Sequence, residues 1–433
     1  MRLFRDWLLR GVLRAKPGEE PAVGLAFAYF FMLLCAYYLL RPVRDAMAIS
    51  AGLENLRWLY TGTFVAMLVL SPLFGVLVSR VRKQFLLPIT YMFFASNLLV
   101  FYLLFKVIPD AFWVAASFFV WLSVFNMFVV SVFWSFMADV FRDEEAKRLF
   151  GPIAAGGGTG SIVGSFVTQD IVPALGVDAV VGLAMLLLLG TLPCIRGLAR
   201  WAQARHGHFV LPPTDPEARI GGGALAGLLL VARSPYMLGI FAIIAIGSIT
   251  GVLMYNELLR LVGEAFPDVA SRTQFFARLD MAVNILAWLF QGFVVAWLIR
   301  TVSLSGALIA IPIAALFSFV ALSFTFVAAA PILMVLSAGQ VIRRAGEFGI
   351  AKPSREVLFT IVDPESKYKA KNFMDTVMQR GSDWAGVWLH VFLQSLGFAL
   401  SGFAVLCGGG MIAAGVISWS LGRSFERRRA GTS

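Results

Sequence analysis

Long apolar runs, each about the twenty residues a helix needs to cross a bilayer core, follow one another along the 433-residue chain with only short polar breaks. Inside hydrocarbon a backbone must satisfy its own hydrogen bonds, and runs of this length do so as α-helices. The runs lie near residues 22–40, 57–79, 85–107, 111–137, 149–173 and 177–197, then 235–258, 273–299, 303–328, 330–350, 370–396 and 398–422. The expected fold is therefore an all-α integral membrane protein of about twelve transmembrane helices. Composition agrees, with 59% hydrophobic and 14% charged residues. Little length remains for a soluble catalytic domain.

The polar breaks give the organisation. Residues 1–21 read as a cytoplasmic amphipathic helix rather than a signal peptide, because arginines stud a short apolar repeat and no small-residue cleavage site follows. Residues 22–197 form a first six-helix bundle, 198–222 a Pro- and Gly-bearing basic linker, 223–422 a second six-helix bundle and 423–433 a basic tail. A cytoplasmic N-terminus puts Arg80/Arg82/Lys83, Arg142/Lys147/Arg148, Arg196/Arg200/Arg205, Lys367/Lys369/Lys371 and Arg427/Arg428/Arg429 on one side, with few Lys or Arg opposite. That asymmetry orients a multi-pass protein of a bacterial inner (plasma) membrane with both termini in the cytoplasm. It also accounts for the net charge of +11 without nucleic acid. Membrane lipid is the expected surround, and no soluble partner is expected.

Several chemistries find no support. Cys35, Cys194 and Cys407 are scattered through apolar stretches without metal-ligand spacing. His206, His208 and His390 form no cluster with carboxylates or thiols in the sequence. No nucleophile and base, metal cluster or cofactor motif stands at membrane depth, so no enzyme, metal or cofactor is expected. The run Gly156-Gly157-Gly158-Thr159-Gly160-Ser161 lacks the Lys of a phosphate-binding loop. Gly156, Gly160 and Gly164 recur every four residues, the pattern by which membrane helices pack closely.

Charges at membrane depth mark the expected path, because each costs several kcal/mol unless it is paired or faces a cavity. Arg41, Arg44 and Asp45 flank Pro42, which is expected to interrupt its helix. Tyr255, Asn256, Glu257, Arg278, Asp280, Asn284 and Gln291 form a second group, in which the spacing from Asp280 to Asn284 and Gln291 gives one polar face. The third group runs from Gln340, Arg343, Arg344, Glu347, Lys352, Arg355 and Glu356 to Lys367, Lys369, Lys371, Asn372, Asp375, Gln379, Arg380 and Asp383. Local pairs four residues apart, such as Arg343 with Glu347 and Lys352 with Glu356, could neutralise part of it. Hydrogen bonding between helices is the alternative role for Asn284 and Gln291. Basic groups outnumber acidic ones, which favours an anionic solute.

The D-x-E-x-K pattern at Asp143–Lys147 returns at Asp363–Lys367, six spans later. Two six-helix halves joined by a cytoplasmic linker are the plan of the major facilitator superfamily. Gly75, Ser79, Arg80, Arg82 and Lys83 resemble that superfamily's G-x-x-x-D-R-x-G-R-[RK] loop, with Ser79 and Val81 as departures.

Three segments resemble the ATP/ADP translocase family of plastids and intracellular bacteria. RPVRDAMAI at 41–49 resembles its K-P-L-[KR]-D-T segment, EEAKRLFGPIAAGGG at 144–158 its E-A-K-R-F-Y segment, and REVLFTIVDPESKYKAKNFMD at 355–375 its K-E-M-A-Y-I-P-L-D-x-x-x-K-x-K-G-K-A-A-I-D stretch. Ala370 departs from the family's Gly, and SDWAG at 382–386 puts Asp383 where nucleotide carriers tend to have G-K-S-G-G. The resemblance implies alternating-access exchange of nucleotides. In that reading Arg41, Arg44, Lys352, Arg355, Lys371 and Asn284 bind the solute, while Asp45, Glu257, Asp280, Glu347, Glu356 and Asp375 gate or couple its movement. The alternatives are a proton-coupled organic-anion transporter using Glu257 or Asp280 as proton carrier, and a lipid-handling or partner-binding relative that does not transport.

Overall fold

The computed structural model describes residues 16–80, 83–109, 111–206, 231, 234–324, 331–361, 374 and 378–430. Helices account for nearly all of them. In chain order they are α1 (Glu20–Ser50), α2 (Leu56–Arg80), α3 (Lys83–Val107), α4 (Phe112–Val140), α5 (Asp143–His206), α6 (Pro235–Ala265), α7 (Val269–Leu289), α8 (Val295–Phe324), α9 (Pro331–Gly346), α10 (Lys352–Leu358), α11 (Gln379–Ser395) and α12 (Leu400–Ala430).

Two helical stretches are double passes: α5, and the continuous run from Val269 to Leu322 that joins α7 to α8. At 1.5 Å per residue, 64 residues of α5 would extend about 96 Å, some three bilayer cores. Gly176, at φ 86° and ψ 173°, breaks it into two spans. Only the absence of a Cβ makes that conformation inexpensive. Ser303 does the same inside α8 at φ 79°, and it is the one non-glycine residue with positive φ among the described residues. Seven helical stretches are long and apolar enough to cross a membrane, the longest two being those that contain these breaks. With the breaks counted, the described helices make about twelve passes.

The chain divides into two compact units. The first comprises Met1–Ala51, Val69–Pro216 and Pro267–Met281, and the second Gly52–Leu68, Glu217–Phe266 and Ala282–Ser433. Both α2 and α7 therefore pass from one unit to the other partway along their length.

In the first unit α1 and α5 form the most extensive helix pair. A Cβ at Gly156 would come 2.5 Å from the Phe27 carbonyl oxygen and one at Gly164 2.6 Å from that of Cys35, while Gly160 faces the Phe31 carbonyl in the same register. Hydrogen at these positions is what lets the two backbones meet. Tyr29 donates to Tyr91, and Phe30 stacks on Phe133 at 4.2 Å, so aromatic rings fill the space beside α1. The second unit has its own apolar core, built on Tyr236, Ile240, Leu308, Leu358, Met374 and Phe425. Met92, Phe93, Phe317 and Val405 are exposed, as apolar side chains facing lipid would be.

Several expectations change. Pro42 lies inside α1 without ending it. Its fixed φ suits a helix, and only the lost N–H bond and ring crowding must be absorbed. The stretch read as a linker from residue 198 is helical to His206, and the tail is helical to Ala430. Residues 207–222, like most of 1–21, lie outside the described residues.

Candidate functional site

The charges singled out in α1 lie in the first unit. Arg44 reaches its neighbour Asp45 with Nη2 at 2.7 Å and Nε at 3.0 Å from Oδ1, and rests 4.9 Å over the Phe119 ring. Asp45 is 1% exposed. Arg41, one turn earlier, places Nε 3.6 Å from Oδ2 of Asp280, which is itself 1% exposed. Asp280 belongs to the part of α7 that packs in this unit. Gln274, on the same part, donates to the Gln169 carbonyl of α5 at 3.0 Å. The polar face expected along α7 holds for Asp280 and Asn284, both buried, while Gln291 is exposed. Gln291 falls in a π-helical turn, Phe290–Val294, whose extra residue rotates it off the stripe.

In the second unit the Arg343–Glu347 pair expected at four-residue spacing is replaced. Glu347 accepts from Arg355 at 2.7 Å, eight residues on, instead of from Arg343. A regular helix would set residues eight apart about 80° out of line. The π-helical turn at Glu347–Ala351 widens the coil and removes that offset. Lys352 is exposed and Glu356 half-buried. Lys371 and Asp375 lie outside the described residues.

Arg343 instead gives both Nε, at 3.2 Å, and Nη2, at 3.0 Å, to Oε1 of Gln340. Among the described residues no carboxylate lies within ion-pair distance of it. Gln340 is 2% exposed, and among the described residues its Nε2 has no hydrogen-bond partner. The two line a cleft with Met254, Ser318, Phe319 and Gly339. Gly251 leaves room for the guanidinium, since a Cβ there would come 2.6 Å from Arg343 Nη1. Sequence reasoning placed Arg343 and Gln340 among the intramembrane polar groups but did not choose them as binding residues.

The reading of His390 as remote from carboxylates is corrected. Its Nε2 lies 2.8 Å from Oε1 of Glu257. The other oxygen of Glu257 accepts from Arg260 Nε at 3.0 Å and Nη2 at 2.9 Å. The residues are 133 apart in sequence, so no local spacing could announce the pair. Two turns away along the same interface Asp383 accepts from Ser248 and stands 3.6 Å from Arg380. Thr61 of α2 accepts from both Trp384 and Trp388 at 3.1 Å. No group of three or more His, Cys, Asp or Glu among the described residues is arranged to hold a metal ion.

A third charge cluster, in the first unit, gathers the helix ends. Glu19, just before α1, accepts from Arg148 at 3.0 Å and 3.2 Å and from the Lys16 backbone at 2.8 Å, with Arg205 at 3.5 Å. Arg205 also stands 3.4 Å from Glu145. The segment resembling E-A-K-R thus packs its Glu and Arg into a network that ties both ends of α5 to the start of α1.

No protein-family model and no curated protein sequence matches the chain. Solved structures match it over nearly all of both chains. The nucleoside transporter NupG is 13% identical over 94% of this chain and 99% of its own, at a TM-score of 0.63. The POT family transporter PepTSo is 12% identical over 94% and 98%, at 0.65. A bacterial homologue of the iron transporter ferroportin is 10% identical over 94% and 100%, at 0.68. The fold is major-facilitator-like. At such identities the likeness speaks for the fold alone, and the site must speak for the solute.

Proposed function

We propose that this protein is a secondary transporter of an anionic, phosphate-bearing solute, and that it exchanges nucleotides of the ATP and ADP kind. In this reading access alternates through movement of two six-helix bundles, residues 22–197 and 223–422, in a bacterial inner membrane with both termini cytoplasmic. Arg343 carries the anionic part of the reading. Arg41 is met by Asp280, Arg44 by Asp45 and Arg355 by Glu347, whereas among the described residues Arg343 gives its hydrogen bonds to the neutral amide of Gln340. A guanidinium at the centre of a membrane helix costs about 2.5–3.5 kcal/mol or more. An anion in the cleft offsets that cost and also accepts from Gln340 Nε2, which has no hydrogen-bond partner among the described residues.

Other assignments follow from the same chemistry. Arg41, Arg44, Asn284, Lys352, Arg355 and Lys371 are the remaining polar groups offered to the solute. Asp45, Asp280 and Glu347 act as counter-charges that an arriving phosphate displaces and a departing one restores, and with Glu257, Glu356 and Asp375 they gate or couple the movement. Each exchange of partners lowers the barrier between states only if the solute binds them unequally. Nucleotide as the solute rests on the resemblance of residues 41–49, 144–158 and 355–375 to the ATP/ADP translocases. The negative charge of Asp383 departs from that pattern, but Ser248 and Arg380 both engage it.

Equilibrium binding of labelled ATP to the purified protein tests the reading. Saturable binding that weakens at least tenfold in Arg343→Gln supports it, and binding indifferent to Arg343 removes its main support.

A further inference from the structure

We propose that His390, held by Glu257, is a proton-binding site, and that the proton taken up there travels with the anionic solute. This goes beyond the solute reading, which gives histidine no role. Both residues are buried, at 2% exposure for Glu257 and 6% for His390. The carboxylate is fully engaged, one oxygen by His390 Nε2 at 2.8 Å and the other by two nitrogens of Arg260. A proton placed on Glu257 would break one of these contacts. The imidazole can take it without loss: with Nε2–H donating to Glu257, the lone pair on Nδ1 accepts a proton from water and later returns it to water. No other bond changes.

The surroundings determine what that proton does. From α6, Arg260 is balanced by Glu257 and by exposed Glu264 at 2.8 Å, which gives the cluster a wet end. From α12, Phe403 stacks on the imidazole at 4.7 Å and 18°, and Cys407 lies one turn beyond. From α2, Arg57 sits over the Trp388 ring at 5.7 Å. On α11 itself, Asp383 stands two turns back, engaged by Ser248, and Arg380 nearly three. Glu257, Arg260 and His390 together are neutral with neutral imidazole and carry one positive charge when His390 is protonated, a charge that exposed Glu264, screened by water, offsets only weakly. Charge at membrane depth is costly, so the protonated state is favoured when an anion accompanies it. By linkage the proton and the anion strengthen each other's binding by the same factor.

The chain has three histidines, which makes the site readable directly. In protein carrying ¹³C-labelled histidine in lipid nanodiscs, the His390 resonance is identified by elimination with His206→Gln and His208→Gln, and independently by its loss in His390→Gln. We expect its chemical shift to respond to pH, and ATP to carry that response to higher pH. Binding of ATP to the wild type should weaken by up to about tenfold per pH unit on the alkaline side, and His390→Gln should flatten that profile. A His390 resonance that does not respond to pH overturns the proposal, even if ATP binds and exchanges normally. A titrating His390 whose shift responds to inorganic phosphate but not to ATP supports the proton site and removes the nucleotide reading alone.

Discussion

Arg41 Nε and Asp280 Oδ2 stand 3.6 Å apart inside the first unit, next to Met281, the last residue of α7 before it passes into the second. Removing one partner of a buried ion pair strands the other, at a cost of about 3–5 kcal/mol. Asp280→Asn is therefore expected to lower the midpoint of thermal unfolding in detergent markedly. Arg41→Gln combined with Asp280→Asn should recover much of the loss, because a neutral pair leaves no charge uncompensated. Additive losses in the double variant would show that the two side chains act independently.

The α1–α5 seam makes a second expectation. Gly160 faces the Phe31 carbonyl with no space for a side chain. Gly160→Val would force the helices apart, and overpacking of this kind costs about 1–3 kcal/mol or more. Gly24, where a Cβ meets nothing within 4 Å, provides the control: Gly24→Ala should leave the melting midpoint unchanged or slightly raised. Equal losses at the two sites would contradict the seam.

Glu19 sets an acid limit. Burial raises its carboxyl pKa, but Arg148, the Lys16 N–H and Arg205 together outweigh that and hold it below the ordinary value of 4.5. A carboxylate with a depressed folded-state pKa stabilises the fold above the unfolded pKa and loses that contribution as pH falls through the folded one. Glu19→Gln should therefore melt lower than wild type at neutral pH, and the gap should close as pH drops below 4.5. A gap constant across that range would show that the charge of Glu19 contributes nothing.

The spans and their order were legible because bilayer thickness fixes how long an apolar run must be, and loops show themselves by charge. The gap expected between spans five and six, residues 174–176, contains Gly176, where the structure breaks α5. Side-chain partners were less accessible. Sequence spacing offered Glu347 to Arg343, but a π-helical turn hands it to Arg355, and no apolar pattern encodes such a turn. His390 looked isolated because its carboxylate is on another helix. Arg343 stood among the candidate charges, yet only coordinates distinguish a guanidinium facing an amide from one facing a carboxylate.

The direct test of the account is uptake of labelled ATP by liposomes containing the purified protein, with vesicles preloaded with ADP compared against empty ones. Exchange predicts saturable uptake that requires internal ADP and falls at least tenfold in Arg343→Gln. No uptake under either loading, from protein that melts normally, would contradict nucleotide exchange.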